Sequence, residues 1–392
     1  MTGNPNTKYK TWAEIDLGAL RHNYRTVAAA VHARAPRCRV IGVVKADAYG
    51  HDVHLVAPAL AAEGCDFFAV SCISEALSLR EIVGAHAEVL ILGYSMTEDV
   101  EALAAHGILQ TVFSLDYARE LSEEMARLIR AGRLRESAAL RVHVKLDTGM
   151  NRLGFDAADA PAAAAQIRAV EALPHLSVEG MFTHFATADT DGGRVGRTAV
   201  QCARFEAVEA ALRAEGCCPA FLHLCNSAGA LTLPEMYRDG VRAGIVLYGL
   251  APDGSILPQY RPVMRMCTRI AQVHVLRAGE SVSYGAAYTA ERNMRIATIP
   301  VGYGDGLVRA FAGASVRLSD GRMAPIVGRI CMDQCMIAIG DADVRPGDTV
   351  TVFGGDDGSM IEALARRGGT INYEIPCLLT PRIPRLAIGG DL

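Results

Sequence analysis

The stretch Val43 to Asp52, VVKADAYGHD, holds the residues best suited to chemistry. A β-branched run from Val40 to Val44 delivers Lys45 to the end of a predicted strand, and small, turn-prone residues follow at once. A lysine there can lose its proton near neutral pH through desolvation and form a Schiff base with an aldehyde, which a solvated surface lysine does not do. Capping the strand and reaching solvent is the ordinary alternative, so the case rests on what gathers near it. RVHVKLDTGMNRLG, starting at Arg141, contributes Lys145, Asp147 and Arg152; FTH ends in His184; HLCNS ends in Asn226 and Ser227; VRAGI carries Arg242, Gly244 and Ile245. Each alone has a bland reading: Ser227 caps the helical turn after it, and His184 is a satisfied core histidine. Together, at the ends of successive apolar runs, they require a fold that makes those ends converge.

Eight short β-rich or apolar runs have this character: Val40 to Val44, Phe67 to Ser71, Glu88 to Leu92, Gln110 to Ser114, Leu140 to Leu146, Val178 to His184, Phe221 to Cys225 and Val241 to Ala243. Helical spacing falls between most of them, at Val53 to Glu63, Ser74 to Ile82, Thr97 to Ala105, Asp116 to Ala131, Ala158 to Ala172 and Thr198 to Glu215. The last gap, around Ala228 to Leu233, is too short for a full helix. A strand candidate at Trp12 to Leu17 and a helix over Leu20 to Arg34 come first. Strands covered on both faces and alternating with helices predict an α/β fold, an eight-stranded parallel (β/α)8 TIM-like barrel, with an open doubly wound sheet as the alternative. In such barrels chemistry sits at the carboxyl ends of the strands and phosphate binds after strands seven and eight, where Ser227 and Gly244 have the right groups. Past Pro258 the runs shorten, at Thr268 to Leu276, Ser281 to Tyr288, Arg295 to Val301, Ser315 to Leu318, Met336 to Ile339 and Thr349 to Phe353, and turn pairs such as Asp320-Gly321 separate them. Only Met360 to Arg367 looks helical there. The chain therefore divides into a barrel over 1–258 and a mainly antiparallel β domain over 259–392. Asp189 to Gly196, rich in glycine, reads as a mobile loop.

The net charge of -4 and pI near 6.3 give no basic excess, so neither nucleic acid nor an anionic membrane is an expected partner. No run reaches the roughly 18 apolar residues a membrane span needs, and MTGNPNTKYKTW lacks a signal-peptide core, so a cytoplasmic location is expected. Eleven cysteines, an odd number without a disulfide framework or zinc spacing, read as reduced thiols, and no metal site is expected.

A lysine opposite a phosphate site implies pyridoxal 5'-phosphate. The motifs VVKADAYGH, VHVKLDTGMNRLG, FTHFATAD, HLCNSAG, VRAGIVLYG, SVSYGAAYTA, VGYGDG, GRICMDQ and TINYEIPC, in this order over nearly the whole chain, resemble the alanine racemases. The resemblance implies that Lys45 carries the cofactor as an aldimine and serves as one base, while Tyr284 is the opposite base. A free tyrosine gives up its proton near pH 10, so phenolate at pH 7 costs about 4 kcal/mol unless neighbours help. His184 and Arg242 match a hydrogen-bonded relay behind that tyrosine, and Arg242 matches the arginine facing the pyridine nitrogen. Tyr49, Ser227, Gly244, Ile245 and Tyr373 match the phosphate-binding set, with Asn226 beside them. Arg152 and the backbone N–H of Met332 match groups meeting the substrate carboxylate, Lys145 matches a lysine carbamylated in many relatives, and Tyr303 matches a tyrosine of the entryway. The family brings its tyrosine from the partner subunit, which implies a head-to-tail homodimer with Tyr284 and Met332 contributed to the partner's site. The implied function is interconversion of L- and D-alanine, supplying D-alanine for peptidoglycan. Serine and broad-specificity racemases are the nearest rivals. A decarboxylase is disfavoured by Arg242, where an acidic partner for the ring nitrogen would be placed, and a barrel-only cofactor carrier by the second domain.

Overall fold

The computed structural model describes residues 8–192, 195–355 and 357–390. Eight strands, Arg39–Val43, Phe67–Val70, Glu88–Ile91, Leu109–Val112, Leu140–Asp147, Leu176–Phe182, Phe221–His223 and Gly240–Ala243, pair in parallel with their successors. Gly240–Ala243 then pairs with Arg39–Val43, Arg242 opposite Ile41, and closes the barrel. Closure answers the alternative of an open sheet: both edges are consumed by one another. All residues of Phe67–Val70, Leu109–Val112 and Gly240–Ala243 are buried, as strands with an occupied interior and a helical coat must be.

The outer helices follow amphipathic spacing. Leu115–Arg130 begins at Ser114, whose hydroxyl accepts from the Tyr117 N–H, and it buries Tyr117, Leu121, Met125 and Leu128 on one face. One strand departs most from a mainly apolar pattern. In Leu140–Asp147, the residues Arg141, His143, Lys145 and Asp147 alternate with Val142, Val144 and Leu146. Because successive strand side chains point to opposite faces, the polar four share one face. Arg141 reaches Glu88 and Glu179, and His143 reaches His223, so that face looks into the barrel.

The chain divides into two compact units, one of 24–48 and 56–247 and the other of 1–23, 49–55 and 248–392. The second is built on a nine-stranded sheet running from Gln272–Leu276 at one edge to Arg385–Ile388 at the other. Its pairings are antiparallel except one. The first strand of the chain, Thr11–Asp16, lies between Met264–Arg269, antiparallel, and Arg385–Ile388, parallel, which buries Trp12, Ala13 and Ile15 completely. The expected strand Ser281 to Tyr288 is broken. Ser283, Gly285 and Ala286 have φ of 73°, 70° and 47°, which no strand tolerates, so Ser281–Val282 and Tyr288–Thr289 form a short ladder with Tyr284 in the turn between them. Part of the glycine-rich stretch Asp189 to Gly196, residues 193 and 194, lies outside the described residues. Among the described residues no helix is long and apolar enough to cross a membrane.

Candidate active site

Lys45 stands where the first barrel strand ends, and the backbone there does something unusual. Ala46, Asp47, Ala48, Tyr49 and Gly50 all have positive φ, from 52° to 76°, so Lys45–Gly50 is a turn of left-handed helix. Four of those five residues are not glycine, and each pays roughly 1–2 kcal/mol for the crowding of its Cβ. Local bonds offset this. Ala48 N–H donates to Val44 O at 2.9 Å, and Ala46 N–H donates to Glu75 Oε1 at 2.6 Å. At the far end Arg385 Nε donates to Gly50 O at 3.0 Å, and a Cβ on Gly50 would press into the Pro376 carbonyl. Strain of this kind persists only where the surroundings over-determine it, and it concentrates at functional positions.

The loop after the fifth barrel strand folds back over the strand end. Asp147 gathers the N–H groups of Gly149, Asn151 and Arg152 at 2.9, 3.0 and 3.2 Å, so its carboxylate shapes the loop. Beneath the loop Lys145 Nζ donates to Leu153 O at 2.8 Å. Burial, and after it the Arg152 cation, bring the Lys145 ammonium down to about 8. The Arg152 side chain itself is exposed.

Arg242, on the eighth strand, is 2% exposed and heavily engaged. Its Nη1 meets His223 Nδ1 at 2.8 Å and His223 O at 3.0 Å, and its Nη2 donates to Thr183 O and Leu224 O at 2.7 and 2.9 Å. His184 Nδ1 lies 3.5 Å from Nη2, at the outer limit of a hydrogen bond. Among the described residues the Nε–H has no protein acceptor. Burial lowers the Arg242 guanidinium to about 10, still charged at neutral pH. Burial first, and then Arg242, Arg152, Lys145 and Lys45, hold His184 well below its ordinary value, so its imidazole is neutral at pH 7. Nearby, Ser227 Oγ accepts from Gly244 N–H at 2.9 Å, which leaves the hydroxyl proton free to donate. Asn226 caps the Ser227–Thr232 helix through the Gly229 N–H, and Ile245 opens the 3₁₀ turn Ile245–Tyr248 after the eighth strand. His143 and His223 escaped the sequence reading. The strict polar alternation in RVHVKLD is the signal that would have found the first of them.

The second unit holds the remaining candidates. Tyr284, 73% exposed, and Met332, 53% exposed, line a cavity of about 440 Å³ with Ser283, Cys331 and Asp333. Tyr303 is joined to them: its N–H donates to Cys331 O at 3.0 Å, and the Gly304 N–H donates to Met332 O at 2.9 Å. Arg382 braces the pair of loops, with Nη2 2.7 Å from Asp333 Oδ1 and Nε 3.4 Å from Asp305 Oδ1. The Met332 carbonyl is thus engaged while its N–H stays available. Tyr49, buried, has the Tyr248 and Tyr373 rings at 5.0 and 6.2 Å, and burial raises its phenol above the ordinary value.

Two family models match the chain, alanine racemase N-terminal domain over residues 15–252 and alanine racemase C-terminal domain over 263–387. The chain is 36% identical over 384 residues to the alanine racemase of Clostridium novyi (strain NT), covering 96% of this chain and 95% of that one. It superposes on the solved structure of alanine racemase from Clostridium difficile 630 with a TM-score of 0.87 at 35% identity, covering 98% and 97% of the two chains. An alanine racemase from Bacillus anthracis with bound L-Ala-P superposes with a TM-score of 0.86 at 32% identity, covering 98% and 97%.

Proposed function

The chain belongs to the alanine racemase family, and from that premise we propose that it interconverts L- and D-alanine with pyridoxal 5'-phosphate, using Lys45 and Tyr284 as opposed bases. The observation that carries the cofactor reading is Arg242. A buried guanidinium with both Nη groups engaged by protein offers one further N–H, at Nε, and a guanidinium only donates. It would therefore meet a pyridine nitrogen without protonating it, where an acidic partner would pass it a proton. Ser227, with its free hydroxyl proton, and the Gly244–Ile245 backbone suit a phosphate, and Tyr49 and Tyr373 complete the proposed set. The donors present fit the group.

When bound, pyridoxal phosphate supplies an aldehyde for the substrate amine and a conjugated ring that spreads the electron pair left at the alpha carbon. The protein does the rest. The Lys45 amine takes or returns the alpha proton on one face, and the Tyr284 hydroxyl serves the other. Inversion needs both, since a single base would return the proton to the face it left. Neutral His184 is fitted to donate to that tyrosine's oxygen, because its Nδ1 faces the donor-only Arg242 guanidinium and its single proton is then on Nε2. Arg152 and the Met332 N–H would hold the substrate carboxylate, and Tyr303, held beside Met332, would narrow the entryway.

Tyr284 and Met332 are proposed to act in the site of a second copy, in a head-to-tail homodimer; their high exposure beside the 440 Å³ cavity supports this. Eleven free thiols support a reducing, cytoplasmic setting, where the D-alanine would feed peptidoglycan synthesis. The test is incubation with L-alanine and added pyridoxal phosphate in deuterium oxide. D-alanine labelled at the alpha carbon is expected. Unlabelled, unchanged L-alanine, with exchange into serine or lysine instead, would replace this reading with another racemase.

A further inference from the structure

We propose that His143 and His223 form a proton-ordered chain of neutral imidazoles that holds Arg242 in place, which makes His143 a positioning residue for the reaction although it lies behind the arginine. The inference rests on the reading of Arg242 as the partner of the ring nitrogen.

The order follows from one end. Arg242 has donors only, and its Nη1 is 2.8 Å from His223 Nδ1, so that nitrogen accepts. A neutral imidazole accepting at Nδ1 carries its proton on Nε2. His223 Nε2 lies 3.0 Å from His143 Nδ1, which must accept in turn, and the His143 proton is left on Nε2. Reversing either ring would set two lone pairs or two protons against each other in the barrel interior, where water cannot repair the mismatch.

The barrel is shaped around this chain. His143 and His223 are 2% and 0% exposed. Phe182 stacks on His223 with centroids 4.7 Å apart and planes 9° from parallel, and Phe67 meets His143 edge-on at 6.1 Å. Gly180 is the register partner of His143, and a Cβ there would lie 2.6 Å from His143 Nε2, so a larger residue would evict the ring. The charged groups facing His143 are Arg141, Arg242 and Arg39, with Arg141 paired to Glu88 and Glu179. Burial first, then these cations, brings His143 down to about 3, and burial, followed by Arg242 and His143, holds His223 well below its ordinary value. Neither ring charges across the working pH range, so the guanidinium faces the same acceptor throughout.

Nitrogen-15 spectra of histidine-labelled holoenzyme read the proton order without turnover. His143 and His223 are expected to show protonated Nε2 and bare Nδ1, unchanged from about pH 5 to 9. A protonated Nδ1 on either ring, or titration in that window, would overturn the chain. Two variants test the positioning role. His143→Asn keeps an acceptor oxygen near the Nδ1 position and should hold kcat within about threefold, whereas His143→Leu fills the volume without an acceptor and should lower kcat about tenfold with the alanine KM within about twofold. The His223 resonances should move in the leucine variant alone. Equal kcat in the two variants would reduce His143 to filler. If the leucine variant does not fold, the parent spectra and the asparagine variant still decide the matter. Because the spectra need no reaction, failure of this chain and failure of the racemase reading are seen separately.

Discussion

Lys145 shows how a single environment can prepare a side chain. With the ammonium lowered to about 8 by burial and by Arg152, about a tenth of the molecules carry a neutral amine at pH 7, against fewer than one in a thousand for an unperturbed lysine. A neutral amine can add to carbon dioxide, and the resulting carbamate would set an anion beside the Arg152 cation where two cations now stand. The neutral fraction rises with pH, so a carbon-13 carbamate signal from labelled bicarbonate is expected to grow as pH is raised through about 8 and to vanish in Lys145→Ala. No signal at pH 9 in the parent protein would refute it. Gly180 is a second residue-scale test. Gly180→Ala should destabilise by about 1–3 kcal/mol, as overpacking does, visible as a lower denaturant midpoint. Lys45 stood out in the sequence because a charged residue just after an apolar run is conspicuous, whereas Arg242 sits inside a short run and drew notice through the motif VRAGIVLYG. His223 was not, since its second role depends on a neighbour 80 residues earlier in the chain.

At the scale of elements, the barrel strands were legible and the turn after the first was not. Strands buried on both faces are mostly apolar, and the expected runs agree with the observed ones within about two residues at most ends. Ala46, Asp47, Ala48 and Tyr49 carry no such mark. Their left-handed turn is imposed by Glu75, Arg385 and the Pro376 backbone, all distant in sequence. The hairpin tip at Tyr284 was lost for a related reason: Ser283 and Ala286 take positive φ without being glycine. Gly50→Ala tests the turn, because the methyl would lie 2.7 Å from the Pro376 carbonyl carbon at a φ already strained for alanine. A loss of more than about 1 kcal/mol is expected, together with weaker retention of pyridoxal phosphate on dialysis. Wild-type melting and wild-type retention would show that the turn has slack.

For the whole molecule, a shared site makes an arithmetic prediction. Lys45→Ala and Tyr284→Phe proteins should each be nearly inactive, yet unfolding and refolding them together in equal amounts should restore about one quarter of parent activity. Half the dimers would be mixed, and each mixed dimer would own one intact site. No recovery would assign Tyr284 to the same subunit as Lys45. The second sheet carries a different lesson, about time. Its strand Thr11–Asp16 is made about 370 residues before its parallel partner, Arg385–Ile388. At roughly 5–20 residues per second, a ribosome takes about 20–70 s to deliver the one after the other. For that interval Trp12, Ala13 and Ile15 have no finished sheet to enter. The barrel strands between them can meanwhile find their neighbours as they emerge, so a nascent chain is exposed to misassembly at Thr11–Asp16 until Arg385–Ile388 has emerged.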